Sequence, residues 1–386
     1  MTKKYTIKPV TAVHIGTGEE LSFLDYRVPP VTEEKPAVYE KFSSDRILQR
    51  LADDKKAMDT FDNANKSKDM NEILDFFQRN CKAEDIEYSC DITGDFHKIY
   101  KENINKDAYE NAALVFQMYR SEGLWTPVIP GSSLKGAMRT ALLNWYLNKL
   151  PPDDKKEGIE TLNNEKNLDN FNERIQRRLL EIKSEKPDPK KDPLRAVSIS
   201  DCSFGGDGCQ MVGRLYNVNK KLEALDLQIQ AEVIRGELMD GKAVSELNIS
   251  INDKLQNSKA VYGKDKDLYQ FKKITFKDLQ DSCNYFYWRE FEKEYNEFYR
   301  YSNDEYIKQI ITLKEKLEKA KDIPGQFIIR VGRWSQVEFV TYENDFRRPK
   351  TKKGKDGKPL HGNTRTLFDY DSYYFPMGWC ILSEVE

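Results

Sequence analysis

The chain has 386 residues, 39% of them hydrophobic and 33% charged, and its 19 Phe, 21 Tyr and 5 Trp supply enough apolar material to exclude a disordered polyelectrolyte. A formal net charge of −2 excludes nucleic-acid binding through a global basic field, so any such binding must rest on local patches. Nowhere do 18 apolar residues run together, and the opening MTKKYTIKPV lacks the apolar core of a signal peptide, which argues against a membrane partner. Six cysteines form no C-x-x-C pair and the three histidines, His14, His97 and His361, lie far apart, so no zinc site is legible and a reducing cytoplasm fits best. No cofactor is expected, and the length suggests two domains.

Tyr5, Ile7 and Pro9 alternate with Thr6, Lys8 and Val10, the pattern of a strand, and the strand runs into a glycine loop, His14-Ile15-Gly16-Thr17-Gly18. Between about 39 and 106 the apolar residues (Ile47, Leu51, Met58, then Ile73, Leu74, Phe77) take helical spacing among many charges, which reads as an inserted helical lid. Extended chain returns over 112–129, where Leu114, Phe116 and Met118 alternate before Ser121-Glu122-Gly123, and a hairpin is expected. It leads to P-G-S-S-L-K-G-A-M-R-T at 130–140, read as the start of a helix from about Leu134 that buries Leu134, Met138, Leu142 and Trp145 and stops at Pro151-Pro152.

The segment 183–193, KSEKPDPKKDP, reads as a flexible connection and divides the chain into domains at 1–194 and 195–386. Beyond it, 196–201, 225–233 and 247–251 are expected strands of a second sheet, with further strands at 327–331, 337–341 and 379–385. The long helical segment 276–320 is crowded with rings, which either pack against that sheet or in part serve for base stacking. The class is α+β.

Three places carry groups suited to a phosphate backbone. At the first, Ser132 and Ser133 flank free N–H groups of a helix start, and Lys135 and Arg139 project from one face beside them. An ordinary capped helix with a solvated basic face would look the same. The second is the loop of His14, Gly16 and Gly18, where glycines let a backbone approach closely, although most such pairs are only turns. The third is RRPKTKKGKDGK at 347–358, with Arg347, Arg348, Lys350, Lys352 and Lys353 among its seven basic residues, which reads as a phosphate clamp or as a solvated surface loop. His14 is also the one candidate general base, against the plainer reading of a hydrogen-bonded histidine that shapes its loop. Asp201, after a strand, suits a turn cap as well as an RNA contact.

Four motifs together, T-A-V-H-I-G-T-G-E-E-L-S-F-L-D-Y (11–26), I-P-G-S-S-L-K-G-A-M-R-T-A-L (129–142), S-I-S-D (198–201) and F-P-M-G-W (375–379), resemble the RAMP superfamily of CRISPR-associated proteins. The pairing of the first two is most similar to the fifth subunit of type III-A Csm complexes. The resemblance implies two ferredoxin-like (RRM-like) units with helical insertions. It also implies a non-catalytic subunit at the 3′-side end of the effector backbone, needed for assembly and guide maturation, with guide RNA, a neighbouring backbone subunit, the small helical subunit and host RNA-trimming nucleases as its partners. A metal-independent endoribonuclease of the same superfamily is the rival that it allows. The superfamily's carboxyl-terminal glycine-rich loop is reduced here to Gly332, and Arg330, Arg333 and Trp334 beside it are the residues whose charge and stacking would stand in for it.

Overall fold

The computed structural model describes residues 1–30, 37–68, 70–104, 113–121, 123–164, 167–182, 188–257, 260–262, 267–269, 272–301, 305–348 and 362–385. The amino-terminal alternation folds as β1 (Thr2–Pro9), with Tyr5, Ile7 and Pro9 inward. Then come β2 (Gly16–Leu21), β3 (Tyr26–Arg27) and β4 (Val38–Phe42), the helices α1 (Ser44–Leu51), α2 (Lys55–Ser67) and α3 (Met70–Asn80), β5 (Ile86–Ile92), α4 (Gly94–Asn103), β6 (Val115–Met118) and β7 (Val128–Ile129). Next are α5 (Gly131–Lys149), α6 (Pro152–Asn164) and α7 (Leu168–Leu179), followed by β8 (Val197–Ile199), β9 (Cys202–Ser203), β10 (Gln210–Asn219), β11 (Ala224–Ile234) and β12 (Ser245–Ile251). The chain ends with the short α8 (Asp253–Asn257), the ribbon of β13 (Ala260–Tyr262) and β14 (Asp267–Tyr269), α9 (Phe276–Glu294), α10 (Gln309–Asp322), β15 (Gln326–Arg330), β16 (Thr364–Tyr370), β17 (Tyr373–Pro376) and β18 (Trp379–Glu384).

Two sheets hold these strands. One has five strands in the order β15-β18-β1-β12-β8, and every neighbouring pair in it is antiparallel. The helices α5 and α9 lie side by side against it and share its largest core with α7 and α10. The other follows the path β2-β6-β11-β10-β5-β4-β3, with β16 and β17 attached through β10. The division at 194 is therefore not a division between sheets: β1 pairs with β12 and β18, and β5 and β6 pair with β10 and β11. The three strands expected to share one sheet are split as well, since β8 and β12 lie in the first and β11 in the second.

The segment 39–106 is only partly a helical lid. Strands β4 and β5 belong to the larger sheet, and α1 to α3 close a small core of their own around Phe42, Ile47, Leu51, Phe76 and Phe77. The expected strand at 337–341 is a 3₁₀ turn, Val337–Phe339. Glu338 and Phe339 are both buried, and a strand, which sends successive side chains to opposite faces, cannot direct both into one core. Strands β10, β16 and β17 went unread. Gly213 lies within β10, and a Cβ there would come within 2.3 Å of the Phe368 ring, so glycine is what lets that ring of β16 pack so closely.

Among the described rings of 276–320, Phe286, Tyr287, Phe291, Phe298 and Tyr299 are buried, Phe276, Tyr285, Trp288 and Tyr295 are half-buried, and Tyr301 is 81% exposed. Tyr287 and Phe291 pack edge-to-face with Trp379 of the five-stranded sheet, whereas Phe298 lies against Arg365 on β16 of the larger one. Interleaved with them on α9 are two buried acids, Glu290 and Glu294. Glu294 lies 2.8 Å from Arg330 and 2.7 Å from Arg365, and Arg365 also reaches Glu338. Among the described residues no helix is long and apolar enough to cross a membrane.

Candidate nucleic-acid interface

The two glycine loops, far apart in sequence, form one structure. Strands β1 and β15 are parallel to each other on either side of β18, so the segments that leave their carboxyl ends emerge together. There the Arg333 N–H donates to the His14 carbonyl at 2.8 Å, and the His14 and Trp334 rings lie 4.9 Å apart. Gly332 has φ +92°, and a Cβ on it would sit 2.5 Å from the His14 carbonyl oxygen. The F-P-M-G-W motif closes the same junction, since Gly378 donates to the Ala12 carbonyl and Trp379 N–H to Thr11 Oγ1. Trp334 and Gln336 also have positive φ, 65° and 70°, a strained arrangement of the kind that gathers at functional loops.

Arg333 is the cation that this junction presents to solvent. Its guanidinium lies 4.2 Å from the centre of the Phe116 ring and 5.2 Å from that of Trp334, and it makes no ion pair among the described residues. Gly16, Thr17 and Gly18 are exposed beside it on β2, an edge strand of the larger sheet. The neighbouring candidate Arg330 is not available: it is 1% exposed, it donates to the Met377 carbonyl and to Glu294, and it lies over Phe339.

His14 is fully buried, which corrects its reading as a surface contact. Nδ1 lies 2.7 Å from the Glu232 carbonyl, an oxygen that can only accept, so Nδ1 carries the proton and Nε2 is left as an acceptor beneath Gly16, with no hydrogen-bond partner of its own. Burial pulls the ring's pKa down to about 4, overriding the Glu232 contact, so the ring is neutral at pH 7 and supplies no charge to a phosphate. The unfolded ring titrates near 6.5. The resulting stabilisation, about 3 kcal/mol, is complete above pH 6.5 and is lost as pH falls towards 4. Denaturant midpoints of the native chain and of His14→Asn should therefore converge on acidification from pH 7 to pH 4, and a constant gap would refute this.

Beneath His14 lies a buried ionic network that the sequence reading missed. Glu232 accepts from Tyr88 (2.6 Å), from the Met118 N–H (2.8 Å) and from Arg120 (3.1 Å), and the Arg120 guanidinium stacks 3.6 Å above the Tyr88 ring. The alternation of 225–233 places Glu232 on a nominally polar face. Only the covering of that face by other elements buries it.

The helix start differs from its reading. α5 begins at Gly131, whose Cβ position is blocked at 2.1 Å by the Ile199 carbonyl, and the Gly131 N–H donates to Asp201 Oδ1 at 2.7 Å. An anion, the Asp201 carboxylate, therefore already occupies part of this helix end, and Asp201 has the capping role. Ser132 is exposed, Ser133 and Lys135 are half-buried, and burial lowers the Lys135 pKa. Arg139 is committed to Asp192 (2.6 Å) and Gln176 (2.9 Å). No hydrogen bond or ion pair joins this helix start to the glycine-loop junction among the described residues.

The basic loop divides at its first residues. Arg347 is structural, paired with Glu290 at 2.7 Å and donating to the Tyr342 carbonyl, whereas Arg348 is exposed. Lys350, Lys352, Lys353 and His361 lie outside the described residues, as does 183–187 of the expected connection. All six cysteines are free and buried, and among the described residues no group of three or more His, Cys, Asp or Glu side chains is placed to hold a metal.

Residues 6–337 match the family model described as the RAMP superfamily, and the chain belongs to that superfamily. Among solved structures it is similar to a chain of the cryo-EM structure of a Csm-crRNA-target RNA ternary complex in a type III-A CRISPR-Cas system, at 19% identity over 99% of this chain and 100% of that one, with a TM-score of 0.68. It is likewise similar to the crystal structure of T. onnurineus Csm5, at 18% identity over 97% and 99% of the two chains, with a TM-score of 0.62. At these identities the likeness is one of fold. A comparison with curated protein sequences finds no match. The family read from the four motifs is borne out.

Proposed function

We propose that this chain is a non-catalytic RNA-binding subunit that caps the 3′-side end of a type III-A effector backbone in the cytoplasm, holding guide RNA by its phosphates and supporting assembly and guide maturation. One observation carries the reading: the H-I-G-T-G and R-V-G-R-W loops meet and present Arg333, backed by two aromatic rings, above exposed glycines. That combination suits a backbone held without reading its sequence. Support comes also from membership of the RAMP superfamily and from the fold shared with a chain of a Csm-crRNA-target RNA complex. The order β18-β1-β12-β8, with α5 and α9 against the sheet, supports reading that unit as ferredoxin-like with β15 added at its edge. A buried, neutral His14 with one nitrogen engaged favours the non-catalytic role over the endoribonuclease.

The test is incubation of the purified chain with repeat-containing guide RNA in chelator, followed by assembly with the other subunits. Binding without cleavage, and one copy per assembled particle, are the expected results. Specific cleavage abolished in His14→Ala would install the endoribonuclease instead, and several copies per particle would make the chain a repeating backbone subunit.

A further inference from the structure

A cleft of about 190 Å³ lies beside the third and fourth turns of α5. Arg139, Thr140 and Leu143 of α5 form one wall, Val340 and Tyr342 close the other, and Arg348 stands at its exposed side. Among the described residues none that lines it is acidic. The carboxylate of Asp192 holds Arg139 through one Nη only, and each guanidinium nitrogen that bonds Asp192 or Gln176 has only part of its donor capacity used. The Tyr342 hydroxyl is buried with no hydrogen-bond partner, in a residue 8% exposed, which is an unusual expense for a tyrosine unless something else completes it. At the mouth Val340 is 59% exposed, an apolar surface left without cover.

We infer that this cleft seats one nucleotide of a single-stranded RNA, its base between Leu143, Val340 and the Tyr342 ring and its phosphate on Arg348 and Arg139. The volume supports a single unit, because sites for larger small molecules run to about 300–1,000 Å³. Arg348, exposed and with no acid in the lining, selects an anionic ligand, to which Arg139, already paired with Asp192, adds only its spare N–H donors, and the apolar walls select a flat ring over a bare phosphate. The orphan hydroxyl supplies a donor and an acceptor for a base edge. The inference rests on the RNA-binding reading above and adds a second contact point to it.

The test uses the full chain and single-stranded RNA substituted with 4-thiouridine, cross-linked by light and mapped by mass spectrometry. A cross-link to the peptide that contains Tyr342 is expected. Thr140→Trp, which fills the cleft from the exposed side of α5, should abolish that cross-link and weaken RNA binding about fivefold or more, the lower end of what one stacked base contributes. Tyr342→Phe, which removes only an unpartnered hydroxyl and keeps the fold, should weaken binding by a smaller factor. RNA binding with no cross-link in the cleft, or with affinity indifferent to both variants, overturns the cleft and leaves the proposed function standing. A chain that binds no RNA overturns both.

Discussion

Glu294→Ala should lower the free energy of unfolding by about 3–5 kcal/mol, the usual consequence of removing one partner from a buried ion pair. Glu294 is 1% exposed and is shared by Arg330 and Arg365, themselves 1% and 3% exposed. Without the carboxylate, Arg330 keeps its bond to the Met377 carbonyl and its place over Phe339 and Trp379 but has no counter-charge, while Arg365 retains Glu338 at 3.4 Å. A guanidinium cannot shed its proton to escape this. Urea midpoints at unchanged slope would report the loss, and a shift equivalent to less than about 1 kcal/mol would show that the arginines do not depend on Glu294. The double variant Glu294→Leu with Arg330→Met should be less damaging than Glu294→Ala, because it leaves no orphaned charge on that side of the cluster.

Joint replacement of Lys135 and Arg333 by alanine should weaken guide RNA binding about 10- to 100-fold at low salt, by the same factor for every sequence. Each side chain is a cation that makes no ion pair among the described residues, Arg333 in the glycine-loop junction and Lys135 on α5. Phosphates carry no base identity, so the loss is uniform. If each residue neutralises one phosphate, the plot of log affinity against log salt should flatten by about 1.4, at 0.7 per contact on a single strand. Arg333→Lys should keep most of the salt slope and lose the stacking part of the affinity, since an ammonium lacks the planar face that lies over Phe116. Unchanged affinity and slope in the double variant would remove both positions from the interface. Arg139→Ala is a different experiment, because Arg139 ties α5 to Asp192 and Gln176, and its loss should appear in stability as well as in binding.

Much of the local architecture was legible because its causes are local. Tyr5, Ile7 and Pro9 face inward as their alternation required, and Pro151-Pro152 ends α5 after Lys149. Thr341 was read as the end of a strand and instead follows a 3₁₀ turn, because the partners that draw Glu338 and Phe339 inward, Arg365 and Trp379, come from elsewhere in the chain. The site shows the same division. Gly332 looked like the remnant of a longer glycine loop. Its physical reason, the His14 carbonyl 2.5 Å from where its Cβ would be, belongs to a segment more than 300 residues away.

Periodicity and four short motifs were enough to determine the family and the mixture of helices and sheets, because each is written within a window of twenty residues or fewer. Which of the candidate residues reach solvent was decided only by the tertiary structure. Arg330 and Arg333 are three positions apart and chemically alike, yet one is sealed against Glu294 and the other stands over Phe116. A side chain's exposure depends on what the rest of the chain lays over it, and β18, β6 and α9 arrive at this junction from three distant parts of the sequence.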